Sequence, residues 1–172
     1  MNLALRRMTL ASILLGFFGS MVSAEDLELR SRDTIALVGN TLAERMQHDG
    51  TLESLIQASH PQLELKWRNL GFSGDELELR LRSQDFGSPD EWLKKVGATV
   101  VFAFFGSNES YQGEPGLPKF EEQLRRYIQH LKSQSFVDGK PVRVVLVSPI
   151  AHEDLGNPSL PDGKSHNRLL EI

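Results

Sequence analysis

Ile35-Ala36-Leu37-Val38-Gly39-Asn40-Thr41-Leu42-Ala43-Glu44 decides the fold. It begins as an apolar run with two β-branched residues, Ile35 and Val38, as expected of a strand buried on both faces. It turns at Gly39-Asn40 and enters a helix, where Thr41 and Glu44 have the T-x-x-E spacing of a capping box. A hydroxyl is thereby expected where a central strand meets a helix N-terminus. The free N–H groups of that first turn favour negative charge at the same place. Two later stretches end in the same manner: Asn69 to Asp75, N-L-G-F-S-G-D, and Phe104 to Glu109, F-F-G-S-N-E.

Outward from this stretch, the alternation of strand and helix continues. Residues 98–105, A-T-V-V-F-A-F-F, form a second doubly buried strand, and 142–147, apolar apart from Arg143, form a fourth strand. Leu63, Leu65 and Trp67 alternate with charged residues, which predicts a strand with one polar face nearer the sheet edge. Ser88-Pro89-Asp90-Glu91 opens a helix with a cap, a proline at the first position and acids in the first turn. Pro118 opens a longer one, with Phe120, Leu124, Ile128 and Leu131 along one stripe. Thr51 starts a short helix with Leu52, Leu55 and Ile56 on one face, and residues 167–172 begin a last one. Glu76 to Arg82 carries two signals. Leu77, Leu79 and Leu81 alternate, but Glu76–Arg80 and Glu78–Arg82 are favourable i,i+4 pairs, and the reading adopted is a helix. Strands alternating with helices predict an α/β fold with parallel pairing and right-handed crossovers. In such sheets ligands bind outside the carboxyl ends of the strands, where the three polar turns converge.

The chain has 172 residues. Arg6 and Arg7, the apolar run Met8 to Val22 and the small residues Val22-Ser23-Ala24 describe an export signal cleaved after Ala24. At about 15 residues the run is short of the about 20 that a membrane span needs, so no stable membrane anchor is expected after cleavage. Residues 25–172 then form one domain. The formal charge is −4, and two positive charges leave with Arg6 and Arg7. That acidity argues against a nucleic-acid partner. There is no cysteine, which excludes a thiol nucleophile and cysteine-based metal sites. His152-Glu153-Asp154 are adjacent and seldom converge on one ion, so a solvated loop is expected there.

A hydroxyl at a helix N-terminus, a glycine N–H and an asparagine amide suit acyl transfer: the hydroxyl attacks a carbonyl and the donors hold the oxyanion. In order and spacing, these turns resemble the blocks of the SGNH, or GDSL-type, hydrolases. Gly39-Asn40-Thr41-Leu42 stands where the family has G-D-S-L. Ser73-Gly74-Asp75 matches its second block and Gly106-Ser107-Asn108-Glu109 its third, G-x-N-D. The run also resembles a secreted SGNH-type group of planctomycete-like bacteria. The resemblance implies a three-layer α/β/α sandwich with a flavodoxin-like parallel sheet. It puts Thr41 at the nucleophile position, with the Gly74 N–H and the Asn108 side chain as oxyanion donors. It implies hydrolysis of carboxylic esters, thioesters or acetylated sugars, with no metal and no organic cofactor. The partner it implies is a small-molecule or carbohydrate ester.

The sequence departs from that pattern at Thr41, where the family has serine, and at Asn40, where it has aspartate. No Asp-x-x-His block follows. Asp162 and His166 are one residue too far apart, and His166 is expected at the surface. The sequence reads as a copy cut before its last strand and helix. Each site residue also has a simpler role: Thr41 as a cap, Gly74 as a tight turn, Asn108 as a loop bond. A module that binds an acylated or sugar ligand without chemistry is therefore the alternative to an ester hydrolase. A flavodoxin-like nucleotide binder is disfavoured, because the first turn lacks a phosphate loop rich in serine and threonine.

Overall fold

The computed structural model describes residues 26–82 and 85–171. The expected export signal lies outside them. Four parallel strands form one sheet: β1 (Thr34–Gly39), β2 (Lys66–Asn69), β3 (Val100–Phe104) and β4 (Arg143–Val147). Their order is β2-β1-β3-β4, with Ile35 beside Trp67 on one side and Val100 on the other. Between them run α1 (Thr41–Met46), α2 (Thr51–Ser59), α3 (Pro89–Val96) and α4 (Leu117–Ser133), and α5 (Lys164–Leu170) follows β4.

The alternation of side chains along β1 and β3 builds the two outer layers. Ile35, Leu37, Val100, Phe102 and Phe104 face α1 and α2, where Ala43, Met46, Leu52 and Ile56 cover them. Ala36, Val38, Val101 and Ala103 face α3 and α4, where Leu93, Leu124 and Leu131 complete a second core. The expected three-layer α/β/α arrangement is present. The two central strands are buried on both faces, as their apolar runs require.

Local signals account for most element ends. Ser88 and Glu91 make a reciprocal capping box, and α3 stops at Gly97 in the left-handed conformation. Four details differ from the sequence reading, one of them being that α5 spans Lys164–Leu170 and does not open at Asn167. Pro61–Leu63 makes a single 3₁₀ turn that ends at Glu64 with φ 52°, so pairing of β2 starts only at Lys66. On α2 the face narrows to Leu52 and Ile56, and Leu55 is exposed. Residues 76–82 are not a helix; they form an irregular loop. Neither expected i,i+4 pair forms there. Glu78 instead reaches Arg126 and Gln123 of α4, and Arg82 bonds Asp75 at 2.9 Å. Tertiary partners have overridden a weak local preference.

Candidate active site

The first turn is set by a close approach of two strands. At Gly39, φ is 122°, and a Cβ there would overlap the Phe104 carbonyl. The Asn40 N–H donates to that same carbonyl at 3.1 Å. Asn40, not Thr41, is the N-cap of α1: its Oδ1 accepts from Leu42 N at 3.2 Å. The capping box expected of Thr41 and Glu44 is therefore absent. Glu44 accepts from the Ser73 hydroxyl instead. Thr41 is the first helical residue, and its exposed hydroxyl has no hydrogen-bond partner among the described residues. An asparagine is the better cap of the two, which is the physical reason for the difference.

The second turn continues β2 along β1. Leu70 N donates to Leu37 O at 2.8 Å and Phe72 N to Gly39 O at 2.9 Å. Asn69 ties this segment to α1 through Ala43 O at 2.6 Å and braces it through Gly71 N at 2.9 Å. Gly71 has no room for a side chain, since a Cβ would lie 2.6 Å from Glu44 N. The Ser73-Gly74 turn then closes with Asp75 N on Phe72 O at 3.1 Å. Gly74 has φ 85°, and its N–H meets no acceptor among the described residues.

The third turn is held from below by Glu109. This side chain is buried, and its two oxygens accept from Leu77 N and Gly106 N, each at 2.9 Å. No pattern in the sequence assigns Glu109 this role. It fastens the second and third turns together. Asn108 adds a second link, donating from Nδ2 to Asp75 O at 3.3 Å. An amide has two N–H groups, so one remains for another acceptor. The three turns thus meet through direct bonds at the carboxyl end of the sheet. Thr41, Gly74 and Asn108 each sit on one of them.

Asp75 lies under this junction, 2 % exposed and paired with Arg82. Burial pushes its carboxyl above the usual range, and the nearby Arg82 and Arg80 only partly offset it. Its Oδ1 has no partner among the described residues. The alternating leucines of 77–81 concealed this cluster in the sequence.

His166 is not the solvent-facing residue expected. Its ring stacks on Tyr111 with centroids 4.5 Å apart, and Nε2 lies 3.2 Å from Ser110 Oγ. Ser110 already donates its one proton to Ser107 O at 2.6 Å. The bond from the imidazole must then run from Nε2–H to Ser110, which leaves Nδ1 as the free acceptor. Asp162 does not orient this ring; it bonds Lys164 through both backbone and side chain. His152, Glu153 and Asp154 are exposed, and among the described residues no three metal-ligating side chains gather. An apolar cleft of about 450 Å³ opens beside the third turn, walled by Phe120, Leu124, Pro149 and Leu169.

Solved structures share this arrangement of strands and helices. A gut microbial diltiazem-metabolizing enzyme superposes with a TM-score of 0.60 at 15% identity, over 84% of this chain and 33% of that one. The acetylxylan esterase Axe2 from Geobacillus stearothermophilus superposes with a TM-score of 0.51 at 17% identity, over 84% of this chain and 71% of that one. The likeness is one of fold. The chain spans about a third of the length of the first of these neighbours. No protein-family profile matches the chain, and no curated protein matches it in sequence.

Proposed function

We propose that the carboxyl-end rim is the ester-binding site of an exported SGNH-type hydrolase, acting on a carboxylic ester or an acetylated carbohydrate. The observation that carries this reading is the direct bonding of the three turns, which brings a free hydroxyl, a free glycine N–H and a half-engaged amide to one rim. Thr41 is the nucleophile in this reading, and Gly74 N–H and Asn108 Nδ2 are the oxyanion donors. The fold shared with an acetylxylan esterase supports the substrate class. The apolar cleft beside the third turn offers room for an acyl group.

A hydroxyl nucleophile needs a base within hydrogen-bond reach. Among the described residues no histidine bonds Thr41; His166 bonds Ser110 through Nε2 and makes no bond to Thr41. The 172-residue chain is accordingly proposed to be a slow esterase. The same observation favours the second reading, a module that binds the ester without cleaving it. Hydrolysis of p-nitrophenyl acetate by the purified chain, by Thr41→Val and by His166→Ala separates the two. Slow turnover that Thr41→Val abolishes supports the hydrolase. Turnover indifferent to Thr41→Val, with the fold intact, refutes Thr41 as nucleophile.

A further inference from the structure

The cleft beside the third turn differs in kind from the polar rim it adjoins. It holds about 450 Å³ between the start of α4, the α5 leucines and the turn itself. Its apolar walls are Leu117, Phe120, Leu124, Pro149, Leu169 and Leu170. Three polar side chains also reach it, and each is already engaged. Glu109 accepts from two backbone N–H groups, Ser110 donates to Ser107 O at 2.6 Å, and Glu121 accepts from Arg125 at 2.8 Å. The glycine N–H groups along it are taken as well: Gly106 donates to Glu109, Gly113 to Ser110 O at 3.0 Å and Gly116 to Gly113 O at 2.9 Å. A sugar ring placed here would lose water from its hydroxyls and find few partners in exchange, which is costly. A hydrocarbon has no such loss and gains by leaving water.

The cleft is continuous with the proposed oxyanion donor. Gly106 and Ser110 both line it, and Asn108 lies between them in the same turn. Phe120 and Pro149 stand close over Gly106: a Cβ on that glycine would lie 3.4 Å from Phe120 Cζ and 3.2 Å from Pro149 Cγ. From Phe120, Leu124 carries the apolar wall about one turn further along α4. Size then speaks against a two-carbon occupant. An acetyl methyl takes about the volume of one water, roughly 30 Å³, and would leave most of the cleft wet.

We propose that this cleft is an acyl pocket, and that the ester substrate carries an aliphatic acyl chain of roughly four to eight carbons rather than an acetyl group. The proposal rests on the reading of the rim as an ester site and selects the carboxylic ester from the two classes considered there. In that reaction the acyl carbon bonds Thr41 Oγ while the alcohol departs with the hydroxyl proton. Water then releases the free acid and restores the hydroxyl. The acyl group stays through both steps and the alcohol through only one, so the acyl part gains more from a lining that suits hydrocarbon. Each methylene moved from water into the cleft should strengthen binding by roughly two- to fourfold.

The test has two arms on the purified chain. Calorimetric titration with acetamide, butyramide and hexanamide reads binding without turnover. Hexanamide is expected to bind at least about tenfold more tightly than acetamide, and Leu169→Gln to remove most of that advantage. Leu169 is half-buried, circular dichroism checks that the fold is kept, and Leu117→Gln repeats the measurement from the α4 wall. In the second arm, p-nitrophenyl acetate, butyrate and hexanoate give the acyl preference, and ethyl against hexyl acetate gives the alcohol preference. Hexanoate is expected to exceed acetate at least about tenfold in kcat/KM. Equal binding of hexanamide and acetamide would overturn the proposal, and so would a preference that follows the alcohol chain. A dimer that Leu169→Gln dissociates, with no amide preference, would assign the cleft to a second copy and overturn it too. Tight hexanamide binding beside turnover indifferent to Thr41→Val would support the pocket and refute the nucleophile. Turnover abolished by Thr41→Val but flat across the acyl series would keep the nucleophile and overturn the pocket.

Discussion

Two buried aspartate–arginine pairs stand at opposite ends of the same sheet, and they are built differently. At the amino end, Asp33 is 4 % exposed and fully engaged. Its Oδ2 accepts from Arg30 N at 2.6 Å, and its Oδ1 accepts from Thr99 Oγ1 at 2.8 Å and from Arg143. Thr99 passes the link on by accepting from Thr34 N at 3.0 Å, so β1, β3 and β4 are tied by one network. Burial pushes the Asp33 carboxyl up, but Arg143, the Arg30 N–H and Thr99 together outweigh it and hold the group below the usual range. At the carboxyl end, Asp75 Oδ1 has no hydrogen-bond partner among the described residues, and burial prevails over the Arg82 and Arg80 charges and the Leu81 N–H. Both oxygens of Asp33 are engaged, although Arg143 Nε is itself buried without a partner among the described residues; at the other end it is the carboxylate that keeps a bare oxygen, among the three turns proposed to bind the ligand.

The largest expected effect lies at the amino end. Asp33→Ala should cost about 3–5 kcal/mol, since it removes the buried carboxylate partner of Arg143, whose side chain is only 20% exposed; urea denaturation measures it. Next comes the staple between the turns. Glu109→Ala removes the acceptor for Leu77 N and Gly106 N, two buried bonds, and should cost about 1–3 kcal/mol in all, at roughly 0.5–1.5 kcal/mol for each bond. Asp75→Asn should cost less, about 1–2 kcal/mol, because one oxygen already lacks a partner. A cost for Asp75→Asn equal to that of Asp33→Ala would erase the contrast between the ends.

The same contrast has a pH signature. The folded pKa of Asp33 lies below the ordinary aspartate value of 3.8, so its contribution is present above the unfolded value and is lost as pH falls through the folded one. Asp75 has the opposite sign. Its folded pKa is raised, so its contribution is present below the unfolded value and is lost as pH rises through the folded one. Denaturation curves across the acid range should therefore flatten in Asp33→Asn. In Asp75→Asn, which lacks the opposing contribution, they should steepen. The same slope change in both variants would contradict the assignment.

Much of the fold is legible in the amino-acid sequence. The apolar runs of β1 and β3 can be buried only between two layers, and the Ser88-Pro89 start contains its own cap. The convergence of the three turns follows from parallel topology. Other features are hidden. Residues 76–82 carry a strand pattern and a helix pattern at once, and the contacts that settle their course come from Asp75, Glu109 and α4, all distant in sequence or outside the local repeat. Thr41 resembles a cap because its spacing to Glu44 fits one, but Asn40 stands one residue earlier and caps better, which frees Thr41. His166 is placed by Tyr111 and Ser110, more than fifty residues away, and no spacing rule reaches that far.

The central claim is that the carboxyl-end rim does the chemistry and the amino end holds the sheet. The direct measurement is p-nitrophenyl acetate turnover per folded molecule for the chain, Asn108→Ala and Asp33→Asn, with the folded fraction of each taken from circular dichroism. The account predicts that Asn108→Ala lowers turnover toward the uncatalysed rate, on the roughly 10²- to 10³-fold scale of one lost oxyanion donor, with stability little changed. It predicts that Asp33→Asn loses stability and keeps its turnover per folded molecule. Turnover untouched by Asn108→Ala, or lowered equally by both substitutions, would contradict it.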